Sequence, residues 1–152
     1  MNLIIFTDGG ARGNPGPAAV GVVIKSEEKI ITQFGKKIGE TTNNVAEYTA
    51  VVEALRWIRD NKILRNEDIK GGKTKNPSIS QFPNFLISFY LDSKLVVNQL
   101  KGLFKIKDAK MQELAFQVHK LENEINLEIR WNLIPREQNK LADAMVNQAL
   151  DS

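Results

Sequence analysis

Cysteine is absent from all 152 residues. That excludes disulfides, thiolate zinc sites and thiol catalysis, and it removes any case for an oxidising compartment. Histidine is nearly absent too, with His119 the only one, so a metal ion would have to be held by oxygen ligands or by that one imidazole. No apolar run approaches the ~18 residues needed to span a membrane. The first residues lack the basic stretch and apolar segment of a secretory leader. A soluble, cytoplasmic protein is expected, with no membrane association and no internal repeat. What is present is 42% hydrophobic residues, enough at this length for one packed domain spanning 1–152. The net charge of +3 and isoelectric point near 9.1 permit a polyanionic partner without demanding one.

The stretch Phe6-Thr7-Asp8-Gly9-Gly10-Ala11-Arg12-Gly13-Asn14-Pro15-Gly16-Pro17 organises the rest. Leu3-Ile4-Ile5-Phe6 reads as a buried strand that runs into an acid and then stops at a glycine- and proline-rich turn. Glycines without Cβ atoms would let backbone N–H groups there approach a sugar-phosphate chain. A plain hairpin turn with a solvated Asp8 is the alternative at this point.

Alternation at Ala19, Val20, Val22 and Ile24, then at Ile30, Ile31, Gln33, Phe34 and Ile38, predicts three consecutive antiparallel strands. Thr41-Thr42-Asn43-Asn44 is rich in capping residues and precedes a helix carrying Val45, Ala46, Ala50, Val51, Ala54, Leu55 and Ile58, predicted to end between Asn61 and Arg65. Residues 66–84 read as a basic surface-loop insert. Phe85 to Leu91 is a near-continuous apolar run, the pattern of a central strand buried on both faces, and it also ends in an acid, Asp92. A short helix from Ser93 to Leu100 follows, then a helix from about Met111 to Asn126. A strand over Leu127–Ile134, a turn and a helix from Lys140 to Leu150 complete the chain. The order predicts an α/β fold with a mixed five-stranded sheet, three antiparallel strands then two parallel ones, flanked by helices.

Four acids sit at element ends or on helices near them: Asp8, Glu47, Asp92 and Asp143. Each has an ordinary structural role open to it. Glu47 would complete a capping box with Asn44, Asp92 would cap the helix after it, and Asp143 would sit solvated near a helix start. If the first and fourth strands are parallel neighbours, however, Asp8 and Asp92 share the sheet edge where α/β ligand sites form. Converging carboxylates without cations repel one another and are tolerable mainly as ligands of divalent ions. Hard oxygen donors point to magnesium or manganese. Two such ions about 4 Å apart suit phosphodiester hydrolysis.

Thr7-Asp8-Gly9-Gly10 with Arg12 to Pro17, Thr42 to Tyr48, Leu91-Asp92-Ser93, and Pro135 to Asp143 together resemble the four signatures of ribonuclease H, type 1. They occur in the right order and in the right strand and helix settings, across nearly the whole chain apart from the insert. The resemblance implies an endonuclease that cuts the RNA strand of RNA/DNA hybrids and leaves 3′-hydroxyl and 5′-phosphate ends. It implies two Mg2+ ions per site, with Mn2+ as a substitute. Asp8 would bridge both ions, Asp143 would help hold the one that activates water, and Glu47 and Asp92 would hold the one beside the leaving group. Asn14, Asn43 and Asn44, with the backbone of Arg12 and Gly13, match the family's minor-groove contacts, and Glu47 is placed to accept a hydrogen bond from a 2′-hydroxyl.

The match departs in four places, one of them the long insert between Glu47 and Asp92. Many family members carry a histidine in the loop before the last acid, and this chain has none there. His119 falls within a helix, where a structural role is expected, and Arg136 in that loop is a candidate auxiliary for the scissile phosphate. The chain reads as a short form without the basic helix and loop some members use to grip the hybrid. Lys101, Lys105, Lys107 and Lys110 remain to track the DNA strand or to form a solvated face. It also reads as lacking an N-terminal hybrid-binding domain, because Leu3 already begins the first strand. A monomer without an obligate protein partner is expected. Two other readings stay open: a hybrid-binding module without catalysis, and a related nuclease acting on double-stranded RNA or a DNA junction.

Overall fold

The computed structural model describes residues 2–61 and 86–152. The predicted insert at 66–84 and Phe85 lie outside them. Ten elements follow in chain order. Strands β1 (Asn2–Ala11), β2 (Gly16–Ser26) and β3 (Lys29–Thr41) precede helix α1 (Asn43–Asp60). After strand β4 (Leu86–Leu91) come helices α2 (Lys94–Leu100) and α3 (Ala109–Ile125), strand β5 (Ile129–Leu133), a single 3-10 turn at Arg136–Gln138 and helix α4 (Lys140–Asp151). The sheet order is β3-β2-β1-β4-β5. The β1–β2 and β2–β3 pairs are antiparallel, and the β1–β4 and β4–β5 pairs are parallel. This is the predicted five-stranded mixed sheet.

One face of the sheet carries the core. Leu3 and Ile5 of β1, Val22 and Ile24 of β2, Ile87, Phe89 and Leu91 of β4 and Trp131 of β5 pack against α1, α2 and α3 through Tyr48, Leu55, Ile58, Val96, Val118 and Leu121. Fully burying a side chain of this size contributes about 1.5–3 kcal/mol. The second face is covered by α4, which packs on β1, β2 and β3. That coverage corrects the expectation for the fourth strand. Ile87, Phe89 and Leu91 are buried, whereas Leu86, Ser88 and Tyr90 are only half-buried, because α4 crosses the other half of the sheet.

Helix ends follow their capping chemistry. Thr42 caps α1, its Oγ1 accepting from Val45 N at 3.3 Å, and Ser93 and Asp108 accept from Val96 N and Met111 N in the same way at 3.2 and 2.9 Å. With Thr42 as the cap, Glu47 lies beyond the first turn and is not part of a capping box. With Ser93 as the cap, Asp92 is left free for other work. Helix α1 closes at Asp60 with Asn61 as its C-cap, at the near edge of the predicted window.

The layers are held close by glycines. A Cβ on Gly9 would overlap the backbone of Ala46 and Glu47 in α1, one on Gly21 the carbonyl of Ala142, and one on Gly35 the carbonyl of Met145. Asp8 pairs with Gly21, and Gly21 pairs with Gly35. These three therefore form one row across the face under α4, and Gly9 points to the opposite face under α1. Gly9→Ala should destabilise the protein by about 3 kcal/mol or more, since the clash is with backbone that has no rotamer to move. Gly10→Ala, whose Cβ would meet only Val146 Cγ1 at an ordinary 3.7 Å, should cost less than about 1 kcal/mol. Urea unfolding of the two variants checks both values, and equal losses would contradict the packing argument.

Candidate active site

Strand β1 does not stop at Asp8 as the turn residues suggested. It runs on to Ala11, still paired with β2 through Ala18, and the turn occupies only Arg12 to Pro15. What ends near Asp8 is the parallel ladder, whose last pair is Phe6 with Tyr90. Asp8 therefore sits within β1 just past the point where β1 and β4 part, and Asp92 follows the last residue of β4. The two acids share the carboxyl-terminal edge of adjacent parallel strands, where α/β folds build ligand sites.

Helix α1 brings Glu47 to the same place, because its backbone lies directly on Gly9. Asp8, Glu47 and Asp92 each offer a carboxylate oxygen, and these oxygens lie within 4.8 Å of one another. Asp143, exposed in the first turn of α4, is close enough to Asp8 to raise its carboxyl by charge and hydrogen bonding. All four acids singled out in the sequence thus converge, three as a tight group and the fourth on Asp8.

The grouping is electrostatically uncomfortable. Asp8 and Glu47 are each 8% exposed. Burial, repulsion from Asp92 and Asp143, and the hydrogen bond shared with Asp143 push the Asp8 carboxyl up to about 8, with only the Gly9 backbone N–H opposing. Burial, then Asp8 and Asp92, hold Glu47 well above the usual carboxylate range, against the Gly9 N–H and the Arg136 guanidinium. Glu47 Oε1 is buried and has no hydrogen-bond partner among the described residues. An unpartnered buried oxygen in a crowd of carboxylates fits a hard divalent cation, which takes oxygen ligands and compensates the charge. The donor set of carboxylates alone fits magnesium or manganese and excludes soft metals.

The asparagines are engaged with the backbone. Asn14 Oδ1 accepts from Asn43 N at 2.9 Å, and Asn43 Oδ1 accepts from Ala11 N at 2.8 Å, so the β1–β2 turn is tied to the start of α1. Both oxygens are used as acceptors, which leaves the amide NH2 groups as the donors. Asn14, Asn43 and Asn44 are exposed. Gly13 has φ +102°, a conformation that favours glycine. Two other glycines do a different job from the ligand approach expected of them. The space a Cβ would fill is taken by α1 at Gly9 and by the Arg12 carbonyl at Gly16. The Arg12 guanidinium pairs with Asp151 at 2.8 Å, both exposed, and Arg12 N donates to Pro17 O at 2.8 Å. Arg136 is exposed in the 3-10 turn, close enough to act on Glu47. His119 lies on α3, 2.7 Å from Glu122 and half-exposed.

Asn139 lies within the Pro135 to Asp143 signature, where no separate role is expected of it. It is 1% exposed, and its Nδ2 donates both to Thr7 O at 2.9 Å and to Asp92 Oδ2 at 3.0 Å. A polar residue four positions before a helical acid is the sole sequence signal, and it reads equally as an ordinary N-cap.

A carboxyl with a raised folded pKa holds its proton more tightly folded than unfolded. Its favourable contribution is full below about 4 and is lost as pH rises through about 8. Metal-free protein should therefore lose stability across that window. Asp8→Asn should flatten the slope and be more stable than wild type at pH 8 by on the order of 1–3 kcal/mol. Thermal melts in chelator across pH 4–8 check this, and a less stable Asp8→Asn protein at pH 8 would contradict it.

Comparison with known proteins agrees with this geometry. The RNase H family profile matches residues 1–69, and a reverse transcriptase-like profile matches residues 84–149. A bifunctional protein of Mycobacterium tuberculosis is 32% identical over the whole of this chain, which spans 36% of that protein's length. The RNase H1 structure from Halobacterium salinarum superposes with a TM-score of 0.79 at 32% identity, covering 99% of this chain and 98% of that one. LC11-RNase H1, solved in complex with an RNA/DNA hybrid, superposes at 0.80 with 36% identity, covering 98% and 96%. With the order of strands, the four acids and full-length similarity all in agreement, the chain belongs to the ribonuclease H family, type 1.

Proposed function

We propose that this protein is an endonuclease that hydrolyses the RNA strand of RNA/DNA hybrids and leaves 3′-hydroxyl and 5′-phosphate ends. The observation that carries the reading is the convergence of Asp8, Glu47 and Asp92 within 4.8 Å, with Asp143 close enough to act on Asp8. In this reading the four carboxylates hold two Mg2+ ions, for which Mn2+ substitutes. Ions so held would supply an activated water and charge stabilisation of the attacking and leaving oxygens. Asp8 interacts both with the Glu47–Asp92 pair and with Asp143, so it would be the acid able to help hold both ions.

The other residues bind and orient. The outward amides of Asn14 and Asn43, with Asn44, donate to acceptors on base edges in the minor groove, and the backbone of Arg12 and Gly13 follows the same groove. Glu47 accepts from a 2′-hydroxyl, the group that tells RNA from DNA. Arg136 stands in the loop where many relatives have a histidine and contacts the scissile phosphate or the leaving product. Lys101, Lys105, Lys107 and Lys110, all exposed, track the DNA strand as a monomer binds its hybrid, so affinity falls with added salt. A binding module without catalysis would have no use for four carboxylates facing a polyanion.

End-labelled RNA/DNA hybrid, single-stranded RNA and both homoduplexes, incubated with Mg2+, Mn2+ or chelator, test the reading. Hybrid-only, cation-dependent cutting is expected. Asp143→Asn should lower the rate on the order of 100-fold or more with the fold retained, whereas His119→Ala should stay within about twofold. Hybrid binding without cutting would favour the binding module, and cutting of double-stranded RNA would overturn the substrate.

A further inference from the structure

Asn139 occupies the N-cap position of α4, yet its side chain makes no capping hydrogen bond. Asparagine is among the best N-cap residues, so a cap left unmade is a sacrifice of helix stability. Its amide is turned inward instead. Both amide hydrogens are spent, one on Thr7 O beside Asp8 and one on Asp92 Oδ2, while Oδ1 is buried without a partner. Leaving such an atom unsatisfied is costly, so the helix end forgoes stability to make these two bonds. The backbone carbonyl of the same residue accepts from Asp143 N at 3.1 Å. Asn139 therefore touches the residue before Asp8, the carboxylate of Asp92 and the backbone of Asp143. Glu47 is the one acid outside its reach, held by the Gly9 contact on the opposite face.

We infer that Asn139 is a positioning residue for the acidic site. By joining β1, Asp92 and the start of α4 through one buried amide, it sets the spacing of Asp92 and Asp143 around Asp8 and so the affinity of the site for divalent cations. The inference rests on the reading of the four acids as cation ligands. An amide suits the task and a carboxylate does not, because both partners here are acceptors and need two donors from a single group. Residues that orient carboxylate ligands by hydrogen bonding typically change metal affinity 10–100-fold when replaced.

Asn139→Ser separates positioning from mere structure. Serine caps helices well, so α4 is kept or strengthened, but its hydroxyl is too short to reach both Thr7 O and Asp92. Mn2+ affinity of the free protein, measured by titration calorimetry beside wild type, Asp8→Asn and Asn139→Ala, is the readout. A 10–100-fold weaker Mn2+ affinity in Asn139→Ser protein that still unfolds cooperatively is expected. The Mg2+ concentration for half-maximal hybrid cleavage should rise by the same factor, with rate restored at high Mg2+ and the KM for hybrid within about twofold. Unchanged Mn2+ affinity in folded Asn139→Ser and Asn139→Ala would overturn the inference and leave the cation site standing. Wild-type protein that took up no more Mn2+ than Asp8→Asn would overturn the cation reading itself, and this inference with it.

Discussion

Helix backbone lying directly on strand backbone is the constraint on which the acidic edge depends. At Gly9 the missing Cβ lets α1 settle onto β1 and presents Glu47 to Asp8 from one face of the sheet. On the other face Asp8 heads a row continued by Gly21 and Gly35, and α4 lies along that row with its Ala142 and Met145 carbonyls in the space two side chains would otherwise take. Asp143, one residue after Ala142, is carried to Asp8 by the same contact. Any larger residue in these positions would lift a helix and an acid together. The geometry of the site is thus a consequence of packing distance.

That packing forces like charges together in a partly dehydrated place. Burial raises both Asp8 and Glu47, and their neighbours raise them further. Among the described residues there is little internal relief: the Gly9 N–H and, for Glu47, Arg136 oppose the shifts, and one Glu47 oxygen has no hydrogen-bond partner. A divalent ion held there would relieve the conflict by supplying the missing positive charge. The surrounding polar contacts serve the same end. Asn14 and Asn43 lock the β1–β2 turn to α1 through their oxygens, and Asn139 joins β1 to Asp92.

Much of this was legible in the sequence, for identifiable reasons. Alternation in the first three strands and helical spacing in α1, α3 and α4 gave the element order, and acids following or ending apolar runs marked the sheet edge. The errors arose where tertiary contacts override local pattern. Gly9 and Gly10 read as strand breakers, yet β2 continues to pair with them and the strand runs on to Ala11. The Phe85–Leu91 run looked buried on both faces because nothing local reveals that α4 crosses only β1 to β3. Asn44 and Glu47 fit a capping box three residues apart, but Thr42 takes the cap and Glu47 turns to the sheet. Asn139 was invisible as an inward-facing residue because its partners are 132 and 47 positions away.

The central claim is that packing gathers four distant carboxylates into one cation site. Mn2+ is paramagnetic and broadens the NMR signals of amides close to it, so a titration at sub-stoichiometric Mn2+ reads the location directly. Amides at Asp8, Gly9, Glu47, Asp92 and Asp143 should broaden together, ahead of those at surface acids such as Glu27 and Glu113. Broadening led by the surface acids, with Asp8 and Glu47 unaffected, would contradict the account.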